Sequence, residues 1–193
     1  MRPAAIGIRA HSGWAAIVTV GGAPPDIQIL DRRRAEICDP VKPGSKQPYH
    51  FVEEMDVNAA QAHLNECAAE SERMATAALH DIVKGHYIIG ATILLAAGRE
   101  LPALPKILAS HALIHTAEGE FFRRALRAAC TNLNVPIRAV REREIAALTP
   151  AAWQRRISEI GKEVGPPWTQ DQKLSALSAC LWLDGAVQKV TTT

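Results

Sequence analysis

Ala4-Ala-Ile-Gly-Ile-Arg-Ala-His-Ser-Gly-Trp-Ala-Ala-Ile-Val-Thr-Val20 decides the reading of this chain. Two apolar runs flank a polar knot, Arg9-Ala-His-Ser-Gly13, and the stretch reads as a first β-strand. Burying an arginine and a histidine without partners is costly, so the knot marks a site at the surface of a sheet.

Outward from this strand, Gly21-Gly-Ala-Pro-Pro25 is turn chemistry, and Asp26 to Cys38 resumes a strand pattern, which predicts a β-hairpin. Asp39 to Gln47 is loop-like, and Pro48-Tyr-His-Phe-Val-Glu-Glu54 reads as a short third strand rather than an extended lead into a helix. From Asp56, an N-cap residue, Val57, Ala60, Leu64, Cys67, Ser71, Met74, Ala78 and Ile82 follow the three-four spacing of an amphipathic helix closed by Gly85. Tyr87 to Ala97 is a mostly apolar strand ended by Gly98, of the kind buried on both faces in a parallel sheet.

A second helix starts near Pro102 to Pro105 and runs to about Asn134, with Gly119 as its point of bending or splitting. Val135 to Val140 is a fifth strand. Thr149-Pro150 is an N-cap and first-turn pair for a helix ending near Gly161, and Gly165-Pro-Pro167 breaks the chain again. Thr169 and Gln172 form a capping box for a last helix through Leu174, Leu177, Leu181 and Val187. Three early strands followed by alternating helices and strands predict an α/β domain over residues 1–193, a mixed sheet with helices on its faces.

The 193 residues are enough for a core without staples, and Lys plus Arg exceeds Asp plus Glu only 22 to 20. There is no general basic field; Arg32-Arg-Arg34, Arg123-Arg124 with Arg127, and Arg138, Arg141 and Arg143 are local clusters that read as solvated faces. Cys38, Cys67, Cys130 and Cys180 are widely spaced and read as buried free thiols in a reducing compartment. No apolar run approaches the roughly 18 residues of a membrane span, and no secretory leader pattern opens the chain. A cytoplasmic protein without a membrane partner is the expectation.

The order of elements resembles the ribonuclease H-like fold, and the opening strand is similar to that of RuvC-type Holliday-junction resolvases. Their first strand typically reads Gly-Ile-Asp-Pro-Gly, then Thr-Gly-Tyr or a similar aromatic; here Gly7-Ile8 leads to Arg9-Ala10-His11 and then Ser12-Gly13-Trp14. At the other end, Thr169 to Ala179 is similar to the family's closing helix, whose acidic residues precede an Ala-Leu-Ala segment. Asp171 stands near one of those carboxylates, and Ser175 falls where another is often found. The resemblance implies a ribonuclease H-like mixed five-stranded sheet flanked by helices, with Arg9 in the place of the metal-binding aspartate.

Two-metal phosphodiester cleavage needs several carboxylates converging on paired dications. Arg9 works against it: unit charges about 4 Å apart interact by roughly 4 kcal/mol at an effective dielectric of about 20, and a dication doubles the repulsion. Arg9 suits a bidentate grip on a phosphate or carboxylate ligand, or an ion pair with a neighbouring Asp or Glu. A second cluster, His111, His115 and Glu118, falls within about 60° of one face of an ideal helix, the face of Leu104, Ile107, Leu108, Phe122 and Leu126. This trio is a candidate transition-metal site, an acid-base relay near neutral pH, or a satisfied core network at a subunit contact. The His-x-x-x-His spacing lacks the metalloprotease glutamate, since Ala112 follows His111.

Through the fold, His11 links the clusters, so that Arg9, His11, Ser12, His115, Glu118 and Asp171 line one cleft: His11, His115, Glu118 and Asp171 as catalytic candidates, Arg9, Ser12 and His111 as ligand-binding ones. Tyr49-His50 and Glu53-Glu54 read as solvated loop and first-turn charges at the cleft edge. Trp14, Trp153, Trp168 and Trp182 read as core or interface packing, not a base-stacking track. Function then narrows to a divergent protein binding nucleic acid or a phosphorylated ligand without two-metal nuclease activity. The alternatives are a hydrolase or nuclease with a rearranged His/Glu/Asp site, divalent metal included, and a noncatalytic homo-oligomeric assembly module. An actin-like ATPase comes last, for want of a second domain and glycine-rich phosphate loops.

Overall fold

The computed structural model describes residues 2–22, 26–96 and 100–185. Its elements are β1 (Pro3–His11), β2 (Trp14–Gly21), β3 (Gln28–Glu36), α1 (Pro48–Phe51), α2 (Val57–Gly85), β4 (Tyr87–Leu95), α3 (Leu104–Leu108), α4 (His111–Asn132), β5 (Ile137–Arg141), α5 (Ile145–Leu148), α6 (Ala151–Glu159), α7 (Gly161–Val164) and α8 (Gln170–Leu183). A 3-10 turn, Glu142–Glu144, follows β5 directly. The five strands form one sheet in the order β3-β2-β1-β4-β5. Strands β1, β2 and β3 pair antiparallel, whereas β4 runs parallel to β1 and β5 parallel to β4.

The expected count of five strands holds, with the strands drawn differently. Ala4 to Val20 is two strands rather than one: Ser12 and Gly13 turn the chain so that His11 pairs with Trp14 and Ala4 with Gly21. Gly13 has φ +80°, a conformation that costs glycine little and other residues more. Conversely, residues 48–51 are helix rather than a third strand. Pro48 occupies the first helical position, where its missing N–H costs nothing.

The long helix starts where expected, with the Asp56 side chain accepting from the Asn58 and Ala59 N–H groups. The second helix breaks not at Gly119, which lies inside α4, but at Ala109-Ser110 between α3 and α4. Thr149 does not cap α6. Its hydroxyl donates to the Ile145 carbonyl instead, and Pro150 takes the cap position without a side-chain bond. The capping box at Thr169 and Gln172 is present. Residues 23–25 of the second turn, Ala97 and Gly98 at the end of the β4 run, and Val187 lie outside the described residues.

Two cores cover the two faces of the sheet. Ile6 and Ile8 of β1 pack with Ala75, Leu79 and Ile82 of α2 and Phe121, Phe122 and Leu126 of α4. On the other face, Ala5, Val18 and Val20 pack with Trp153 and Ile157 of α6 and Ala176, Leu177 and Cys180 of α8. Strand residues alternate between faces with a period of two, so Ala5, Gly7, Arg9 and His11 share the α8 side. Small residues there allow close contact: a Cβ on Gly7 would stand 1.7 Å from the Ser175 carbonyl oxygen of α8.

Candidate functional site

Arg9 and His11 lie at the carboxyl end of β1, the end at which its parallel neighbours β4 and β5 also finish. Open α/β sheets place ligands at this end. Glu142 arrives there because it opens the 3-10 turn after β5. Asp171 arrives because the capping box starts α8 just before it, with the Gln172 side chain accepting from Thr169 N at 2.9 Å.

The Arg9 guanidinium bridges these two carboxylates. Its Nε donates to Glu142 Oε2 at 2.8 Å and one Nη donates to Oε1 at 2.9 Å, a bidentate pair. The other Nη donates to Asp171 Oδ1. Arg9 therefore takes the ion-pair alternative, with three of its N–H donors bonded inside the chain. His11 stacks on Trp14 with centroids 4.1 Å apart and planes 6° off parallel, and Arg34 lies over Trp14 at 3.7 Å. His11 Nε2 is 3.4 Å from Asp171 Oδ1, but the approach lacks hydrogen-bond geometry, so the buried nitrogen has no partner among the described residues. Burial and the Arg9 guanidinium lower the His11 pKa below its usual value; Glu142 opposes them, while Arg34 and Arg123 add to the lowering.

These residues do not fit a two-metal centre. The carboxylates near Arg9 are both held by its guanidinium, and β4 ends on Leu94 and Leu95 with no carboxylate. A dication placed between Glu142 and Asp171 would have to displace the Arg9 guanidinium from both carboxylates, since the two cations would repel by on the order of 8 kcal/mol at about 4 Å and an effective dielectric of about 20.

The histidine-rich group lies elsewhere. Helix α4 packs on the sheet face opposite α8. No hydrogen bond or ion pair joins His115 and Glu118 to Arg9, His11 and Asp171 among the described residues, so the two sets expected to line one cleft are not bonded to each other, although Arg123 of α4 acts electrostatically on His11. Glu118 is buried while His111 and His115 are exposed. Glu118 Oε1 accepts from the Tyr49 N–H at 2.8 Å, the His50 N–H at 3.0 Å and His50 Nδ1 at 3.2 Å. Burial raises the Glu118 pKa, and these three N–H groups pull it back. The Nε2 atoms of His111 and His115 are 3.0 Å apart.

Ser12 is exposed in the hairpin turn and takes no part in the Arg9 network. Ser175 is buried, donating to the Ala16 carbonyl at 3.2 Å, a bond that fastens α8 to β2 rather than serving a site. Glu142 escaped the sequence reading, hidden in the Arg141-Glu-Arg-Glu144 alternation, which looks like a solvated charge run. His50 was expected at the cleft edge but as a solvated loop residue, and the structure bonds it to Glu118.

The arginine clusters are paired more than solvated: Arg32 donates to the Val164 and Gly165 carbonyls, Arg33 to Asp31, and Arg127 to Glu120. The tryptophans are absorbed within the chain, Trp168 donating to the Ile157 carbonyl and Trp182 to that of Ala91. All four cysteines are free and buried, and burial pushes the Cys130 and Cys180 thiols up to about 12. Among the described residues no helix is long and apolar enough to cross a membrane.

No family model matches this chain, and no curated protein does. Solved structures do. RuvC of T. thermophilus in complex with a Holliday junction substrate superimposes with a TM-score of 0.58 at 12% identity, covering 96% of this chain and 94% of that one. A second Thermus thermophilus RuvC structure gives 0.57 at 10% identity, covering 95% and 97%. The fold is therefore ribonuclease H-like and of the RuvC type, in a divergent sequence.

Proposed function

We propose that this chain is a nuclease-fold protein that binds nucleic acid and does not carry out two-metal cleavage. The observation that carries this reading is the Arg9 guanidinium lodged between Glu142 and Asp171, where the resemblance to RuvC-type enzymes puts a metal-binding aspartate. Its charge takes the role of the missing cation in holding the strand, the turn after β5 and α8 together. The nucleic-acid half rests on the superposition, over nearly the whole chain, with a structure that holds a Holliday junction. Surface cations remain for such a contact: the side chains of Lys46 beside the hairpin turn, Arg143 next to Glu142, and Lys173 two residues beyond Asp171 make no hydrogen bond or salt bridge among the described residues.

Fluorescence titration with a four-way junction, single-stranded DNA and RNA over a range of salt tests the binding. Incubation of the same substrates with Mg2+ tests the chemistry. Salt-sensitive binding to at least one substrate, without cleavage, is the expected result. No salt-sensitive binding to any of them sinks the first half, and Mg2+-dependent cleavage abolished by Asp171→Ala sinks the second.

A further inference from the structure

The contact between α1 and α4 gathers three imidazoles at the surface. One ring nitrogen from each of His50, His111 and His115 lies within 4.8 Å of the others. The ring centroids are 4.5 Å apart for His111 and His115, 4.8 Å for His50 and His115, and 5.5 Å for His50 and His111. His111 and His115 come one helical turn apart, so both rings project from one side of α4. Their Nε2 atoms face each other at 3.0 Å, close to the separation of about 3.3 Å that two imidazoles take on one tetrahedral ion with Zn–N near 2.0–2.1 Å.

Behind them sits a carboxylate whose role the Arg9 site does not explain. The Glu118 side chain is 5% exposed, and its Oε2 has no partner among the described residues. Oε1 receives His50 Nδ1 at 3.2 Å. A carboxylate on Nδ1 settles the proton there and leaves Nε2 as a lone-pair donor, the arrangement that orients histidines on metals. The positive end of the α4 dipole opposes a cation at this place, and the buried Glu118 carboxylate offsets it.

We propose that His50, His111 and His115 bind one transition-metal dication of the zinc class through neutral imidazoles, with Glu118 orienting His50. Nitrogen-only donors select such an ion over Mg2+ or Ca2+, which take oxygen. Three protein ligands on an exposed surface leave the fourth position to water or to a ligand from solution. The ion clasps α1 to the first two turns of α4. The sequence motif suggested Glu118 as a ligand; the fold makes it the partner of one, and His50 takes its place.

Untagged protein stripped with chelator and titrated calorimetrically with Zn2+ tests this, together with the visible absorption of the Co2+ form, which reports tetrahedral coordination. Saturable binding of one equivalent and a rise in Tm on adding Zn2+ are expected. Glu118→Gln weakens binding about 10- to 100-fold, and His111→Ala and His115→Ala lose at least as much. His111 and His115 are exposed, so these variants fold even where Glu118→Gln does not. His80→Ala, on an exposed part of α2, binds like the wild type. No saturable Zn2+ binding, or binding that survives both His111→Ala and His115→Ala, overturns the proposal. Neither result bears on Arg9, whose substitution by alanine leaves Zn2+ binding in place.

Discussion

Arg9 is one side chain with two anionic partners, and its substitution exposes what it replaces. Arg9→Ala leaves Glu142 and Asp171 facing each other without a cation. For a fully buried pair such a loss costs about 3–5 kcal/mol, and for an exposed pair about 0–1. With Arg9 at 24% and its partners at 35% and 22% side-chain exposure, we expect about 2 kcal/mol, or a Tm lower by about 4–8 °C. Arg9→Asp places three carboxylates together, costs more in the absence of metal, and regains stability with Mg2+. The wild type shows no such gain in thermal melts; an equal Mg2+ response in both proteins would contradict the account of the site.

His11 carries a pH signature with a defined sign. Its folded pKa lies below its ordinary value of 6.5, through burial, Arg9, Arg34 and Arg123 against Glu142, while Asp171 approaches without a hydrogen bond. The unfolded chain therefore binds the proton more readily, and stability rises with pH up to about 6.5. The contribution is present above 6.5 and is lost as pH falls through the folded pKa. Compared with His11→Gln, the wild type should lose stability on acidification over that window in denaturant titrations.

At the scale of elements, the meeting of β1 and α8 depends on a missing side chain. Gly7→Ala would drive a Cβ into the Ser175 backbone oxygen, which no rotamer change relieves, so a loss of at least about 3 kcal/mol is expected in chemical denaturation. On the opposite face, Glu118→Ala strips the Tyr49 and His50 N–H groups of their acceptor. The expected cost is about 1–3 kcal/mol, with hydrogen-exchange protection lost at those two amides while the strands keep theirs. Helix α2, its Asp56 cap and the capping box of α8 were legible because their signals are local: three-four spacing and side chains bonding two or three residues away. The β1–β2 turn was not, since apolar runs on both sides of Ser12-Gly13 read as one continuous strand. For α1, the alternation of Tyr49, His50 and Phe51 resembles a strand, whereas Pro48 at the helix start and the packing of Tyr49 against Ile114 and Ala117 of α4 accompany a four-residue helix.

For the whole molecule, net charge gives little long-range attraction to nucleic acid, so the proposed binding rests on where cations without an ion-pair partner among the described residues stand. Lys46→Gln, Arg143→Gln and Lys173→Gln should each reduce the salt slope of binding, log K against log [salt], by about one, with little change in stability. An unchanged slope in the triple variant would move the nucleic-acid contact away from the end of the sheet that holds Arg9.

An α/β sheet flanked by helices, the polar residues of the opening strand and the shared face of His111, His115 and Glu118 were legible from period, spacing and residue identity, all of which act over a few residues. The ribonuclease H-like outline, with arginine in the place of a metal-binding aspartate, was implied by the resemblance to RuvC-type resolvases. Packing between distant segments set Arg9 between Glu142 and Asp171 and brought His50 beside His111 and His115. A strand's alternation says that Arg9 and Ile8 face opposite ways, but which helix covers each face is settled by packing between distant segments, with Arg9 meeting partners 133 and 162 residues away. Helix α8 fits against Gly7 on one face of the sheet and α4 against Ile6 and Ile8 on the other.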